Sequence, residues 1–142
     1  MRAVIQRVTH ASVAIDGKIK SEIKAGLLVL LGIEENDTQQ DIDWLVKKII
    51  QMRIFSDADG KMNLSVQDIN GDILVISQFT LFASTKKGNR PGFTRSARPD
   101  IAIPLYEQFL SDMQTQFGKE IYSGEFGADM KVELINDGPV TI

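Results

Sequence analysis

The chain has 142 residues, no cysteine and a formal net charge of -3 at neutral pH, a length that predicts one domain able to bury roughly 68–70% of its unfolded surface. The missing cysteines exclude disulfides, thiolate catalysis and cysteine-based metal sites, and fit a reducing compartment. The mild negative charge argues against a generally cationic coat for nucleic acid but leaves room for a local basic patch. Met1-Arg2-Ala3 runs straight into an alternating strand pattern with no signal-like progression and no long apolar run, so a soluble cytoplasmic protein is expected.

From Ala3 to Ile15 the residues alternate loosely, Asp16-Gly17 supplies a two-residue turn, and Ile19 to Ile23 returns, which predicts a β-hairpin. Arg7 falls in mid-strand, where a charge usually marks a solvated face. His10, the one histidine, reads as a surface residue at a strand end. Ala25-Gly26 turns the chain into Leu27 to Ile33, an unbroken apolar run expected as a central strand buried on both faces. Asp37 or Thr38 then caps an amphipathic helix that carries Ile42, Leu45, Val46, Ile49 and Ile50 inward and ends near Met52. Ser56-Asp57-Ala58-Asp59-Gly60 has the look of a calcium-loop fragment, but Phe55 and Val66 stand where ligands belong, so a hairpin turn is expected. Asn70-Gly71 gives another hairpin signal.

Val75 to Phe82 runs eight positions without a charge, the pattern of a fully buried strand, yet it contains Ser77, Gln78 and Thr80. A buried polar side chain must find a partner or serve a ligand, and both readings stand for these three. Ala83 to Pro99 then holds Lys86, Lys87, Arg90, Arg95 and Arg98 without one acid. A solvated flexible loop is one reading; a phosphate-contacting lip beside the polar strand is the other, since loops beyond about 12–15 residues in compact domains are often functional. Asp100 can cap a second helix with Ile103, Tyr106, Phe109, Leu110, Met113 and Phe117 inward, Pro104 being tolerable only in its first turn. Strands around Lys119 to Tyr122 and Met130 to Ile135 precede Asp137-Gly138-Pro139 and a final Val140-Thr141-Ile142. These elements predict an α/β fold in the broad sense: a curved, largely antiparallel or mixed sheet with two helices packed outside.

The chemistry available is bounded by what is missing. No His-based triad, metal cluster, phosphate-cradling Gly-rich loop or dinucleotide fingerprint is present. Thr80 can be written as a nucleophile, but no base is evident to activate it. The remaining route positions an already reactive ester and offers backbone N–H groups to its oxyanion.

Ser77-Gln78-Phe79-Thr80-Leu81, together with Asn136-Asp137-Gly138-Pro139-Val140-Thr141 about sixty positions later, resembles the paired signature of the D-aminoacyl-tRNA deacylases. The likeness extends from Met1-Arg2-Ala3-Val4-Ile5-Gln6-Arg7 to the last residue. It implies one deacylase domain over 1–142, with catalysis at Ser77, Gln78, Phe79 and Thr80. It also implies a cis Gly138-Pro139 bond, braced by Arg7, that selects D-amino acids by excluding L side chains and so leaves glycyl-tRNA unprotected. A homodimer with its site at the interface and tRNA as partner follow from the same resemblance, while the missing ligand clusters and fingerprints lead to the expectation of neither cofactor nor metal. The basic loop residues Lys86, Lys87, Arg90, Arg95 and Arg98 would contact the tRNA. A noncatalytic RNA-binding module holding an acceptor stem, and a hydrolase of a small free metabolite, are the competing readings.

Overall fold

The computed structural model describes residues 1–142. The first hairpin forms as expected: β1 (Arg2–Ile15) and β2 (Lys18–Ile23) pair antiparallel with Ile15 opposite Lys18. Their turn holds Asp16 at φ 51° and Gly17 at φ 76°, the doubly positive geometry that suits strand twist. The apolar run becomes β3 (Gly26–Gly32), antiparallel to the first half of β1, where Arg2 to Val8 face Gly32 to Gly26.

After helix α1 (Gln39–Gln51) come the antiparallel pair β4 (Phe55–Ser56) and β5 (Met62–Leu64), which form the expected hairpin around Asp57 to Gly60. The chain then crosses over to β6 (Asp72–Ser77), parallel to β3. Helix α2 (Pro99–Phe117) leads to β7 (Tyr122–Ser123), parallel to β6, and β8 (Met130–Thr141) returns antiparallel to β1. The main sheet therefore runs β2-β1-β3-β6-β7 with β8 added at β1, a mixed sheet that is mostly antiparallel.

The unbroken apolar strands are buried on both faces because the sheet curls over one core and carries helices over another. Leu27, Val29, Leu31, Ile73 and Val75 join the larger cluster with α1 and α2. The alternate residues Leu28, Leu74 and Ile76 meet Val8, Ala11, Val13 and Ile23 on the other face. At the start of β3, a Cβ on Gly26 would stand 1.9 Å from the Asp72 carbonyl oxygen, so only glycine admits the β6 backbone there.

Thr38 caps α1 in a capping box with Asp41, whose carboxylate accepts the Thr38 backbone N–H at 2.7 Å. Ile42, Val46, Ile49 and Ile50 are buried, with Leu45 half-buried. Neither helix is long and apolar enough to cross a membrane.

Several expectations are corrected. Asn70-Gly71 makes no hairpin: Asn70 does adopt φ 52°, but the strand it launches pairs with β3 far back in sequence. The strand expected over Val75 to Phe82 stops at Ser77 and gives way to a 3-10 helix over Phe79–Phe82. Arg98, not Asp100, caps α2, with Pro99 at its first position, and Pro104 lies in the second turn rather than the first. Ala102 replaces Ile103 on the buried face of α2, while Ile103 and Leu110 are only half-buried. The Gly138-Pro139 step lies inside β8 rather than beyond it.

Candidate active site

The site begins where β6 runs out of a partner. Gln78 N–H donates to the Leu31 carbonyl at 2.7 Å, the last rung of parallel pairing, and β3 ends one residue later. The chain then winds into the 3-10 helix, whose bonds start with Leu81 N–H to the Gln78 carbonyl (3.2 Å) and Ala83 N–H to the Thr80 carbonyl (3.1 Å). The first N–H groups of such a helix, those of Phe79 and Thr80, have no carbonyl within the turn to bond. The Gln78 side-chain amide donates to the Thr80 hydroxyl oxygen, so these two side chains bond each other rather than a neighbouring strand.

Phe79 keeps 56% of its surface exposed and packs edge-on against Phe93 with centroids 5.1 Å apart. Ser96 Oγ donates to the Phe79 carbonyl at 2.6 Å. The return arm of the basic loop thus clamps the motif in place.

Beside this turn opens a cleft of about 300 Å³. Ser77, Gln78 and Phe79 line it together with the apolar side chains of Leu31, Ile33, Ile76, Ala102, Phe126 and Val132, and Ala97 and the Gly127 to Met130 segment complete it. Thr80 does not line it. Sequence reasoning missed the Phe126 to Asp129 stretch and the two alanines as parts of a site: no periodic pattern marks them, and Asp129 reads as an ordinary loop acid. Behind Phe126, whose ring centroid is 5.8 Å away, Tyr106 donates its hydroxyl to the Val75 carbonyl at 3.2 Å. Burial pushes the Tyr106 phenol up to about 12, with the Ser123 hydroxyl partly opposing.

The second motif forms a projection. Along the β1–β8 pair, Gln6 faces Thr141 and Val8 faces Asn136, so four residues, Asp137 to Val140, stand opposite Arg7 alone. Asn136 closes the projection: its Oδ1 accepts Val140 N–H at 2.7 Å and its Nδ2 donates to Thr141 Oγ1 at 2.9 Å. The Gly138-Pro139 peptide is cis, and Gly138 has φ 134°.

Arg7 is not on a solvated face; it is only 8% exposed. Its Nε donates to the Asp137 carbonyl at 2.9 Å and its Nη1 to the Ile54 carbonyl at 2.7 Å, while the Asp137 carboxylate lies 3.4 Å from Nε. The guanidinium therefore lies against the base of the projection. Gly138 and Pro139 themselves are exposed and do not line the cleft.

The basic loop divides in two. Ser84 and Gly92 exchange backbone hydrogen bonds at 2.8 and 2.9 Å, closing a tip that carries Lys86, Lys87 and Arg90 in solvent. The return arm is not free of acids once folded. Arg95 donates through Nε and Nη2 to Glu34 Oε1 at 2.8 and 2.6 Å and stacks 5.5 Å over the Phe82 ring. Arg98 lies 4.0 Å from Glu35 and 3.6 Å from Asp100. His10 bonds Glu22 at 2.8 Å and belongs to a groove on the β1–β2 and β8 side that shares only Val132 with the cleft.

Comparison with known proteins gives this geometry its class. A family model described as D-Tyr-tRNA(Tyr) deacylase matches residues 4–142. A D-aminoacyl-tRNA deacylase of Bacteroides fragilis (strain YCH46) is 64% identical over 142 residues, 100% of this chain and 95% of the relative. One of Flavobacterium johnsoniae is 62% identical with the same coverage. Among solved structures, one described as c-Myc DNA unwinding element binding protein superposes with a TM-score of 0.95 at 44% identity, covering 100% of this chain and 96% of the other. A probable eukaryotic D-amino acid tRNA deacylase shares the fold, with a TM-score of 0.85 at 17% identity over 99% of this chain and 96% of the other. The chain is thus a deacylase, an enzyme of the hydrolase class. It belongs to the D-Tyr-tRNA(Tyr) deacylase family.

Proposed function

We propose that residues 1–142 act as one cytoplasmic deacylase domain that hydrolyses the ester joining a D-amino acid to tRNA and spares the L form. The observation that carries this reading is the 3-10 turn after β6, whose first N–H groups, those of Phe79 and Thr80, have no carbonyl within the turn and which lies beside an apolar cleft of about 300 Å³. A cleft of that size and character suits the terminal nucleoside of an acceptor end, with its polar ester left at the rim beside Ser77 and Gln78.

In the step we envisage, water oxygen bonds to the acyl carbon and the carbonyl oxygen gathers charge against the two N–H groups. The ester C–O bond then breaks, and the water's proton passes to the departing ribose oxygen, assisted by the neighbouring ribose hydroxyl. Thr80 is a poor nucleophile here: its hydroxyl accepts from the Gln78 amide, and no base adjoins it.

Chiral selection requires the second motif, and in one chain that motif lies outside the cleft. We place Gly138-Pro139 of one copy in the cleft of another, giving a homodimer with two shared sites. Exposed Ile135 (59%) and Ile142 (56%) on the same strand and terminus offer apolar surface for the contact. With amino group and ester both anchored, an L side chain meets the Gly-Pro wall and a D side chain points to free space. Exclusion of this kind has no purchase on glycine, so glycyl-tRNA is also a substrate. Lys86, Lys87 and Arg90 at the loop tip contact phosphates, with Arg95 and Arg98 held in the return arm. Incubation with D-aminoacyl-tRNA in excess tests the reading: multiple turnovers to free amino acid support it, whereas stoichiometric protection of the ester would identify an RNA-binding module instead.

A further inference from the structure

The outer face of α1 carries a feature that the proposed reaction leaves unused. Trp44 is 62% exposed, and Lys48 Nζ sits 5.5 Å from its ring centroid. Lys47, Gln51, Met52 and Arg53 complete a groove of about 420 Å³ around the pair. The packing of α1 does not require this tryptophan, because Ile42, Val46, Ile49 and Ile50 already bury the opposite face. A cation in the last turn suits the helix dipole, which accounts for Lys48 but not for an indole in water.

The cations of the groove form no close ion pair. Lys47, Lys48 and Arg53 are exposed and take part in none of the chain's ion pairs. Arg53 Nε donates to the Asn63 carbonyl at 2.9 Å, and its charge helps hold the Asp68 carboxyl below the usual range, after the Ser65 hydrogen bonds that dominate that shift. Asp43, one turn before Lys47, is engaged by the Gln39 amide at 2.8 Å. Three cations around a flat, exposed aromatic are the combination that grips a sugar–phosphate backbone and stacks on a base or ribose.

The groove is also tied to the second motif. Arg53 precedes Ile54, whose carbonyl accepts Arg7 Nη1, and Arg7 holds the Asp137 carbonyl beside Gly138. We infer that the Trp44 groove is a second docking surface for the tRNA substrate, with Lys47, Lys48 and Arg53 on phosphates of the tRNA body and the Trp44 face against a ribose or an unstacked base. The inference rests on the proposed reaction for its occupant. The Arg53–Ile54–Arg7–Asp137 link joins the groove to the step that we place in the partner's cleft, so a tRNA whose acceptor end enters that cleft can lay its body on α1 of the copy that supplies the step.

The experiment is fluorescence anisotropy of deacylated tRNA against salt concentration. Lys47→Gln/Lys48→Gln, which breaks no hydrogen bond, should lower the slope of log affinity against log salt by about two units, and adding Arg53→Gln should lower it by about one more. Trp44→Ala should weaken binding about fivefold or more while leaving the slope alone. Unchanged slopes in both lysine-containing variants would overturn the inference, and wild-type affinity in Trp44→Ala would overturn the stacking role. Hydrolysis of D-aminoacyl-tRNA by the wild-type protein in the same buffers keeps the two claims apart. An active enzyme with unchanged slopes strikes the groove alone, and an inactive one strikes the reaction.

Discussion

Gly138→Ala isolates the projection from the cleft. A Cβ at this position would stand 2.8 Å from Val140 Cγ2, 3.0 Å from Arg7 Nη2 and 3.1 Å from the Val140 nitrogen. The residue also sits at φ 134°, where a non-glycine residue costs about 1–3 kcal/mol. Neither neighbour yields easily. Val140 is buried, and Arg7 is fixed by bonds to Asp137 and Ile54 of the charge-assisted kind that contributes about 1.5–3 kcal/mol each. Partial loss of that brace added to the backbone strain gives about 2–4 kcal/mol, less than the total stability of a typical domain. The variant should therefore fold, with a lower urea midpoint. Its projection can no longer hold one shape, so the ratio of D- to L-aminoacyl-tRNA hydrolysis should fall at least tenfold. A Gly138→Ala protein with wild-type stability and an unaltered D to L ratio would refute both the steric reasoning and the role given to this segment.

Thr80→Ala should retain most of its turnover, since the side chain only accepts from the Gln78 amide and the backbone N–H survives; an acyl group trapped on the Thr80 oxygen would contradict this. Neutralising Lys86, Lys87 and Arg90 should lower the salt slope of tRNA binding by about one unit each, whereas Arg95→Gln should lower it less, because Glu34 already engages that guanidinium. Tyr106 predicts an alkaline limit. Its folded pKa of about 12 lies above the usual 10.0, so its contribution is complete below pH 10 and is lost as pH rises toward 12. Two units correspond to about 3 kcal/mol, and denaturant midpoints measured across that window in wild type and Tyr106→Phe should converge as pH rises.

The parts of the fold that repeat on a short period were legible. Alternate burial of Leu27 to Leu31 and the inward stripe from Ile42 to Ile50 follow from local pattern, as does the Asp16-Gly17 turn. What was lost depended on partners far away in sequence. Val75 to Phe82 keeps strand composition throughout, but pairing stops with Gln78 because β3 stops at Gly32. Asn70-Gly71 announces a turn without saying that the next strand will join β3 in parallel.

From its strand position alone Arg7 read as a surface charge, and only the family resemblance suggested a brace, because its partner, the Asp137 carbonyl, lies 130 positions away. Arg95 read as uncompensated for the same reason, with Glu34 lying 61 positions back. For the site, the two motifs could be named from sequence, but the cleft wall from Phe126 to Met130 could not, since nothing in its composition distinguishes it from an ordinary loop.

The central claim is a filter that acts by exclusion at a site built from both motifs. It is tested most directly by the rates at which this protein hydrolyses D-alanyl-, L-alanyl- and glycyl-tRNA under identical enzyme concentrations. The geometry predicts that the D-alanyl and glycyl esters are cleaved while the L-alanyl ester, one methyl larger than glycyl, survives. Equal resistance of glycyl- and L-alanyl-tRNA would mean that the pocket reads a D side chain positively, and equal cleavage of all three would mean that the Gly138-Pro139 projection excludes nothing.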